Sequence, residues 1–152
     1  MRLNWYKTSP EATKAMLELQ RVVDSSKIEH KLLEIVKIRA SQINGCAHCL
    51  DMHTKDAIAI GESEQRIHVL PAWKETTFYS PRERAALLWC EALTQVSTFG
   101  APDNIYETVE GLFSPEEIVE LTLAIVTINA WNRLAIGFKS DIGNYVSNRK
   151  PE

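Results

Sequence analysis

The chain has 152 residues, of which 45% are apolar and 24% are charged, and its net charge at pH 7 is −3. This composition is typical of a soluble globular protein, and the length suits a single domain that spans residues 1–152. Because the 17 basic residues are scattered and the net charge is negative, the sequence offers no basic surface for nucleic acid.

The sequence also predicts a protein without a membrane segment. Residues 1–7 lack the continuous apolar core of a signal peptide. The most apolar region, residues 118–138, is interrupted by Glu120, Asn129 and Arg133, whereas a membrane-spanning helix needs about 20 nearly unbroken apolar residues. We therefore expect a cytoplasmic protein.

Helical periodicity and helix-start signals predict an all-α chain with short loops. Helices starting after Ser9, Ser80 and Ser114 each have serine as a cap and proline at the first helical position. Asn44 is expected to cap the third helix, and Pro71 is expected to stop the fourth. The predicted helices cover residues 10–23, 27–40, 46–60, 62–70, 81–94 and 115–136.

The last predicted helix is apolar on nearly every side, which is unusual for a surface helix of a small monomer. Such a helix either passes through the core or lies in a subunit interface, and a chain this small has little room to surround a helix completely. We therefore predict a homo-oligomer that associates through apolar helices.

The segment from Cys46 to His53 carries most of the chemical information. Cys46 lies in the first turn of the third predicted helix, where free N–H groups and the helix dipole favour a thiolate. Cys49 follows three residues later, close enough for a disulfide with Cys46. His53 lies four residues beyond Cys49 on the same helical face, so its imidazole can accept the thiol proton.

Glu34 is the expected partner of this histidine. It lies six residues before the end of the preceding predicted helix. If the two helices form an antiparallel hairpin around residues 42–45, Glu34 comes alongside the second or third turn of the next helix, where His53 lies. A partly buried carboxylate needs such a partner.

A metal site is the main alternative interpretation of these residues. Cys46, Cys49 and His53 stand at positions i, i+3 and i+7 of one helix, and Glu34 could supply a fourth ligand for zinc. Structural zinc sites usually draw pairs of ligands from separate elements, so we favour redox chemistry and expect no metal or cofactor. Cys90 is expected to be a buried apolar cysteine with no partner.

Together these residues resemble a known family. Glu34, Cys46, Cys49 and His53 are separated by eleven, two and three residues, which matches the signature of the alkylhydroperoxidase D family within the carboxymuconolactone decarboxylase superfamily. The chain is also similar to single-domain members of this family in residues 39–46, 51–53, 82–87 and 129–134. The decarboxylases of the superfamily lack the cysteine pair, so decarboxylation is not expected.

The resemblance implies an all-helical fold that forms trimers, or hexamers built from dimers. It implies reduction of hydroperoxides by the cysteine pair, with electrons supplied by a dithiol donor such as a dihydrolipoyl protein or a thioredoxin-like reductant. By the same resemblance, Cys49 would attack the peroxide and Cys46 would resolve the product. Glu34 and His53 would form the proton relay, and His48 would assist it.

Two points stay open at the level of sequence. The helix dipole favours Cys46 as the more acidic thiol, whereas the proximity of His53 favours Cys49. We choose Cys49 because a base in direct reach acts more strongly than half a charge spread over a helix end. The same pair could instead serve a thiol–disulfide oxidoreductase or a redox sensor.

Trp131 and Arg133 are expected to pack in the core or interface rather than to line a substrate pocket.

Overall fold

The structure is a computed structural model that describes residues 1–151, and every regular element within that range is helical. This confirms the predicted all-α fold. Nine α-helices and one 3₁₀-helix follow one another in residues 1–151: α1 Trp5–Thr8, α2 Pro10–Asp24, α3 His30–Asn44, α4 Ala47–Ala59, α5 Glu64–Val69, the 3₁₀-helix Leu70–Glu75, α6 Pro81–Thr94, α7 Val96–Phe99, α8 Asp103–Glu110 and α9 Pro115–Phe138.

Two of the helices begin where the sequence predicts because a capping box fixes each start. The Glu83 backbone N–H donates to Ser80 Oγ at 3.2 Å, and the Ser80 N–H donates to the Glu83 carboxylate at 2.7 Å. Ser114 and Glu117 make the same reciprocal pair at the start of α9. Each such cap stabilises its helix by about 1 kcal/mol. α2 also begins at Pro10 as predicted, with Ser9 at the cap position, although the Ser9 side chain makes no capping hydrogen bond.

The predicted cap of α4 was wrong. Asn44 is the last residue of α3, and Gly45 follows it with a φ of 68°, in the left-handed region that ends many helices. The Asn44 side chain instead donates to Asn129 Oδ1 at 3.0 Å and to Asn132 Oδ1 at 2.8 Å, on α9. Cys46 takes the capping position, with its Sγ accepting the Cys49 N–H at 3.3 Å.

Other helix boundaries also differ from the prediction. α3 begins three residues later than expected, at His30, and runs on to Asn44. Pro71 ends α5 but does not end helical structure, because it lies in the first turn of the 3₁₀-helix, where a missing N–H is tolerated. Helices α1 and α7 were not predicted, since each has only four residues. α8 was also missed, although Ile105 and Val109 stand four residues apart on one face of it.

α3 is the central helix of the fold, since it packs against α4, α6 and α9. Its residues from Leu32 to Ile38 are all buried, and they include two charged side chains, Glu34 and Lys37. The tight turn at Gly45 folds α4 back against α3 as an antiparallel hairpin. At the start of α4, Cys46 and Cys49 are therefore buried, whereas Gly45 and Ala47 are exposed.

α9 combines a buried face with an exposed apolar face. By length and composition alone it could cross a membrane, but it packs against α2, α3 and α6, and Leu121 and Ile125 are fully buried, as in the core helix of a globular protein. Val119 and Val126 on its outer face are 68% and 51% exposed. Association of copies through this face remains a prediction.

Candidate active site

The two cysteines of the site lie at the start of α4. Cys46 and Cys49 are joined as a disulfide with their Cα atoms 5.4 Å apart. Both residues are buried, with exposed fractions of 1% and 3%. Cys49, but not Cys46, lines a pocket that opens beside α4. The first turn of α4 thus places the pair at disulfide-bonding distance, with Cys49 next to a space for a ligand.

Glu34 and His53 are brought together across the hairpin. His53 Nδ1 lies 2.8 Å from Glu34 Oε2. Because an ionised carboxylate can only accept, the imidazole proton is assigned to Nδ1. In the neutral imidazole this leaves Nε2 unprotonated and able to take up a proton. His53 also stands one helical turn after Cys49, and both residues line the pocket.

A second cation holds the Glu34 carboxylate from the other side. Lys37 Nζ donates to Glu34 Oε1 at 2.8 Å, and it lies 3.7 Å from Asp24 Oδ1. Burial alone would raise the pKa of Glu34, but the charges and hydrogen bonds of His53 and Lys37 outweigh it and lower the pKa to about 2. Glu34 is therefore a buried carboxylate that stays ionised.

Acid should remove the stabilisation that this carboxylate provides. The pKa of Glu34 is about 2 in the folded protein and 4.5 ordinarily, so the contribution is complete above pH 4.5 and is lost as the pH falls towards 2. At pH 3 we expect the protein to have lost about 2 kcal/mol of the unfolding free energy that the Glu34 carboxylate contributes. We expect urea unfolding to show a smaller loss of unfolding free energy between pH 6 and pH 3 in Glu34→Gln than in the wild type. An exposed control, Glu64→Gln, should behave like the wild type, and equal losses in all three proteins would contradict this role.

His48 lies between the cysteines and contacts the C-terminal segment of residues 140–151. Its Nδ1 lies 2.6 Å from the Asp141 carbonyl oxygen. Since a carbonyl only accepts, Nδ1 carries the proton and Nε2 of the neutral ring is free to accept. His48 lines the same pocket as Cys49 and His53. The structure thus places all five predicted site residues around the start of α4 and the adjoining part of α3.

Sequence reasoning missed two charged residues of the site, Lys37 and Asp56. Asp56 is buried, and its Oδ1 accepts hydrogen bonds from the Tyr145 hydroxyl at 2.7 Å and from Ser147 Oγ at 2.5 Å. Helical spacing could have found both. Lys37 follows Glu34 by three residues, and Asp56 follows His53 by three, so each lies on the same helical face as its predicted neighbour.

The C-terminal segment completes the outer wall of the site. Besides its contact with His48, its Gly143 N–H donates to Asp51 Oδ2 at 3.1 Å, and its Tyr145 carbonyl accepts from Lys55 Nζ at 2.9 Å. Tyr145 and Arg149 of this segment line the pocket. The segment therefore lies along α4 and encloses the space next to Cys49.

The pocket has a volume of about 410 Å³, within the range of small-molecule sites. Its apolar wall includes Trp5, Leu17, Met52, Trp131 and Ala135. Trp131 is partly buried against the core, as predicted, with its ring centroid 5.8 Å from that of Trp5. The expectation that it would not line a pocket was wrong. An apolar wall facing a thiol and two imidazoles suits a ligand with an apolar body and a polar reactive end.

One group of side chains has the composition of a metal site. Glu34, His53 and Asp56 each offer a ligand atom, and these atoms lie within 4.8 Å of one another. However, Lys37 and His53 already bind the two oxygens of Glu34, and the Lys37 ammonium supplies the local positive charge. A metal ion would have to displace these partners. The predicted zinc alternative used Cys46 and Cys49 instead, and their sulfurs are bonded to each other here.

Cys90 lies away from this site. It is fully buried, its Sγ lies 3.4 Å from the Val36 carbonyl oxygen, and it forms no disulfide. Burial raises the pKa of its thiol to about 12. Cys90 is therefore buried, as predicted, but the expectation that it has no partner was wrong, because its Sγ contacts the Val36 carbonyl and the Thr94 hydroxyl.

The fold and the cysteine pair define the class of protein: an all-helical protein of the AhpD-like fold with two cysteines at disulfide distance. The sequence profile of the carboxymuconolactone decarboxylase family matches residues 10–92, and the chain belongs to this family. It is 44% identical over 135 residues to the uncharacterized protein YdfG of Bacillus subtilis, a match that covers 89% of this chain and 92% of YdfG.

Solved structures agree with this assignment. The chain superimposes with a TM-score of 0.91 on a protein of unknown function from Agrobacterium tumefaciens, provisionally described as the antioxidant defence protein AhpD. That pair is 47% identical, and the match covers 95% of this chain and 99% of the other. A peroxidase-related protein from Silicibacter sp. TM1040 gives a TM-score of 0.81 at 18% identity, covering 95% of this chain and 76% of that one; this likeness concerns the fold alone.

Proposed function

We propose that the protein is a thiol-dependent peroxidase that reduces organic hydroperoxides, with Cys49 as the attacking thiol and Cys46 as the resolving thiol. One observation carries the proposal. Cys49 is at disulfide distance from Cys46, lines the pocket and stands one turn before His53, whose Nδ1 is held by Glu34. A nucleophile, a base and a group that orients the base are thereby assembled beside a space for a small molecule.

The first step begins from the reduced protein. His53 Nε2 accepts the Cys49 thiol proton, directly or through one water, with His48 as an assisting group. The thiolate attacks the terminal oxygen of the hydroperoxide, so an S–O bond forms and the O–O bond breaks. The alkoxide leaves and takes the proton from the His53 imidazolium to become an alcohol. Cys49 is then a sulfenic acid.

The second stage returns the protein to its starting state. The Cys46 thiol attacks the sulfenic sulfur of Cys49, which forms the disulfide and releases water. A dithiol reductant, such as a dihydrolipoyl or thioredoxin-like protein in the cytoplasm, then reduces the disulfide by exchange and is itself oxidised to a disulfide. No further oxidant or cofactor is needed.

The size and lining of the pocket beside Cys49 favour a small substrate over a protein disulfide. The pocket admits a molecule of small-ligand size and has mainly apolar walls. These features support hydroperoxide reduction over the alternative role as a thiol–disulfide oxidoreductase.

We further propose that the active protein is a homo-oligomer, a trimer or hexamer. Four apolar side chains of α7 and α9 are more than half exposed, and two of them, Val96 and Val126, line one groove. Burial of these side chains between copies would stabilise association. They are Val96, Phe99, Val119 and Val126. Light scattering gives the number of 17.2 kDa chains in the particle.

The proposed activity is tested by turnover of tert-butyl hydroperoxide and of a disulfide substrate under the same dithiol reductant. We expect hydroperoxide consumption that depends on both protein and dithiol and is faster than reduction of the disulfide. Faster disulfide reduction, with hydroperoxide consumed no faster than without protein, would assign the pair to thiol–disulfide exchange instead.

A further inference from the structure

A buried lysine contacts the proposed relay from the side opposite to His53. The side chains of Lys37 and Glu34 are 4% and 5% exposed, and their charged ends are 2.8 Å apart. Burying an ammonium group is unfavourable unless it is paired and hydrogen-bonded. The long stem of Lys37 nevertheless brings its charge inward to Glu34 and Asp24 rather than out to solvent. A lysine on a helix usually extends into solvent, so the inward placement of Lys37 indicates a specific role for its charge.

The two oxygens of Glu34 have separate partners. Oε1 accepts from Lys37 Nζ, and Oε2 accepts from His53 Nδ1, each at 2.8 Å. Lys37 therefore fixes the orientation of the carboxylate that orients the imidazole. It also opposes protonation of Glu34, because a nearby positive charge favours the ionised form of an acid.

The number of protons on the Glu34–His53 pair decides whether Nε2 of His53 is free. With Glu34 ionised, Nδ1–H donates to it and Nε2 of the neutral ring can accept a proton. One additional proton on the pair changes this. The pair then becomes either a carboxylate with an imidazolium, or a protonated carboxyl that donates to Nδ1 while the hydrogen sits on Nε2. In both forms Nε2 carries a proton and cannot act as a base.

Other charged groups lie around Glu34, and they come from each element that packs there. Asp24 belongs to α2, His30 and Lys37 to α3, His53 and Asp56 to α4, and Arg149 to the C-terminal segment. Arg149 Nη2 lies 3.7 Å from Asp24, and Asp56 accepts two hydroxyl hydrogen bonds. The two nearby carboxylates would strengthen proton binding to the pair, so a cation in contact with Glu34 is needed to offset them.

We infer that Lys37 is a positioning residue that orients the Glu34 carboxylate towards His53, and that its positive charge disfavours an additional proton on the Glu34–His53 pair, so that Nε2 of His53 stays free. Its effect on the protonation of His53 follows from the contacts alone. Its effect on turnover rests on the proposed function, in which Nε2 receives the Cys49 proton.

The test compares Lys37→Met, which keeps the apolar stem and removes the charge, with Lys37→Arg, which keeps the charge. Lys31→Met is the matched control, because Lys31 lies on the same helix with its Nζ bonded to the Gly61 carbonyl at the surface. The ¹⁵N spectrum of the His53 ring in the reduced protein reports the pH at which Nε2 loses its proton. Lys37→Met should move this midpoint to higher pH by about one unit, or tenfold in proton affinity. Lys37→Arg and Lys31→Met should leave it near the wild-type value.

The rate of tert-butyl hydroperoxide consumption should follow the same order. In a plot of this rate against pH, the rise on the acidic side should move to higher pH in Lys37→Met alone. A lysine with a purely structural role would not cause this displacement. Lys37→Gln, which keeps one donor without charge, replaces the methionine variant if the latter does not fold. An unchanged ¹⁵N midpoint in the uncharged variant overturns the inference, even if the wild type is an active peroxidase. A shifted midpoint in a protein that consumes no hydroperoxide upholds the inference and rejects the peroxidase.

Discussion

The Cys49→Ser variant is expected to consume hydroperoxide no faster than the reaction without protein. A serine hydroxyl at this position lacks the easily ionised, nucleophilic sulfur that attacks the peroxide oxygen. The helix hairpin and the pocket should be unchanged, because serine is similar in size and Cys49 is a buried first-turn residue rather than a helix cap. Peroxide loss in the presence of dithiol, followed spectrophotometrically, is the measurement.

The other two cysteines provide the comparison for this result. Cys46→Ser should still consume one equivalent of hydroperoxide per chain but should not form the disulfide, since the attacking thiol remains and the resolving thiol is gone. Cys90→Ser should turn over like the wild type, because Cys90 is fully buried and its replacement can bond to the same Val36 carbonyl. A Cys49→Ser protein that consumes one equivalent, beside an inert Cys46→Ser protein, would reverse the two roles.

The His53→Gln variant should lose about 10²- to 10⁴-fold in rate at neutral pH, the usual contribution of a general base. Glutamine can keep a hydrogen bond to Glu34, so the carboxylate retains a partner, but it cannot take the thiol proton. The defect should shrink as the pH rises above about 8.5, where an ordinary cysteine ionises without help. The measurement is the rate of the first turnover against pH.

A matched control separates this effect from a general loss of structure. His68→Gln changes an exposed histidine of α5 that makes no contact with the site, and it should match the wild type at every pH. A loss in His53→Gln that is independent of pH would show that His53 supports the structure without acting as a base. A rate within tenfold of the wild type at neutral pH would remove it from the relay.

Local chemistry explains which parts of the fold were predictable. α6 and α9 begin at Pro81 and Pro115 as predicted, because a serine, a proline and a glutamate within four residues satisfy the free N–H groups of a helix start. Asn44 is also of a residue type that caps helices, but no proline or glutamate follows it at the corresponding positions. Its side chain is drawn instead to Asn129 and Asn132, which lie 85 and 88 residues away in sequence. Such long-range contacts leave no local signal.

The candidate site was likewise predictable where it depends on local sequence spacing, and not where it depends on long-range contacts. The pairing of Glu34 with His53 follows from helical spacing and a short turn, both visible in the sequence. Lys37 and Asp56 lie at helical spacing from these residues, but nothing local shows that a lysine will turn inward. The contribution of Tyr145 depends on an irregular segment that crosses α4 and bonds to residues about 90 positions earlier. No periodic pattern marks such a segment.

The comparison with known proteins places these residues on a fold shared by proteins of different sequence. At 18% identity the helices still superimpose with a TM-score of 0.81, so the architecture alone does not define the chemistry. The activity must follow from the thiols, the bases and the pocket. In this chain Cys49 is the cysteine that lines the pocket, which supports Cys49 over Cys46 as the attacking thiol. This is more direct support than the sequence argument, which weighed the helix dipole near Cys46 against the imidazole near Cys49.

Fully reduced protein mixed with one equivalent of tert-butyl hydroperoxide, without any other reductant, provides the decisive single turnover. The expected result is loss of the hydroperoxide, formation of one equivalent of tert-butanol and loss of two thiols per chain. Peptide mass analysis should then locate one disulfide, between Cys46 and Cys49, with Cys90 still reduced. Hydroperoxide that persists while both thiols stay free would contradict the assignment of this protein as a thiol-dependent peroxidase.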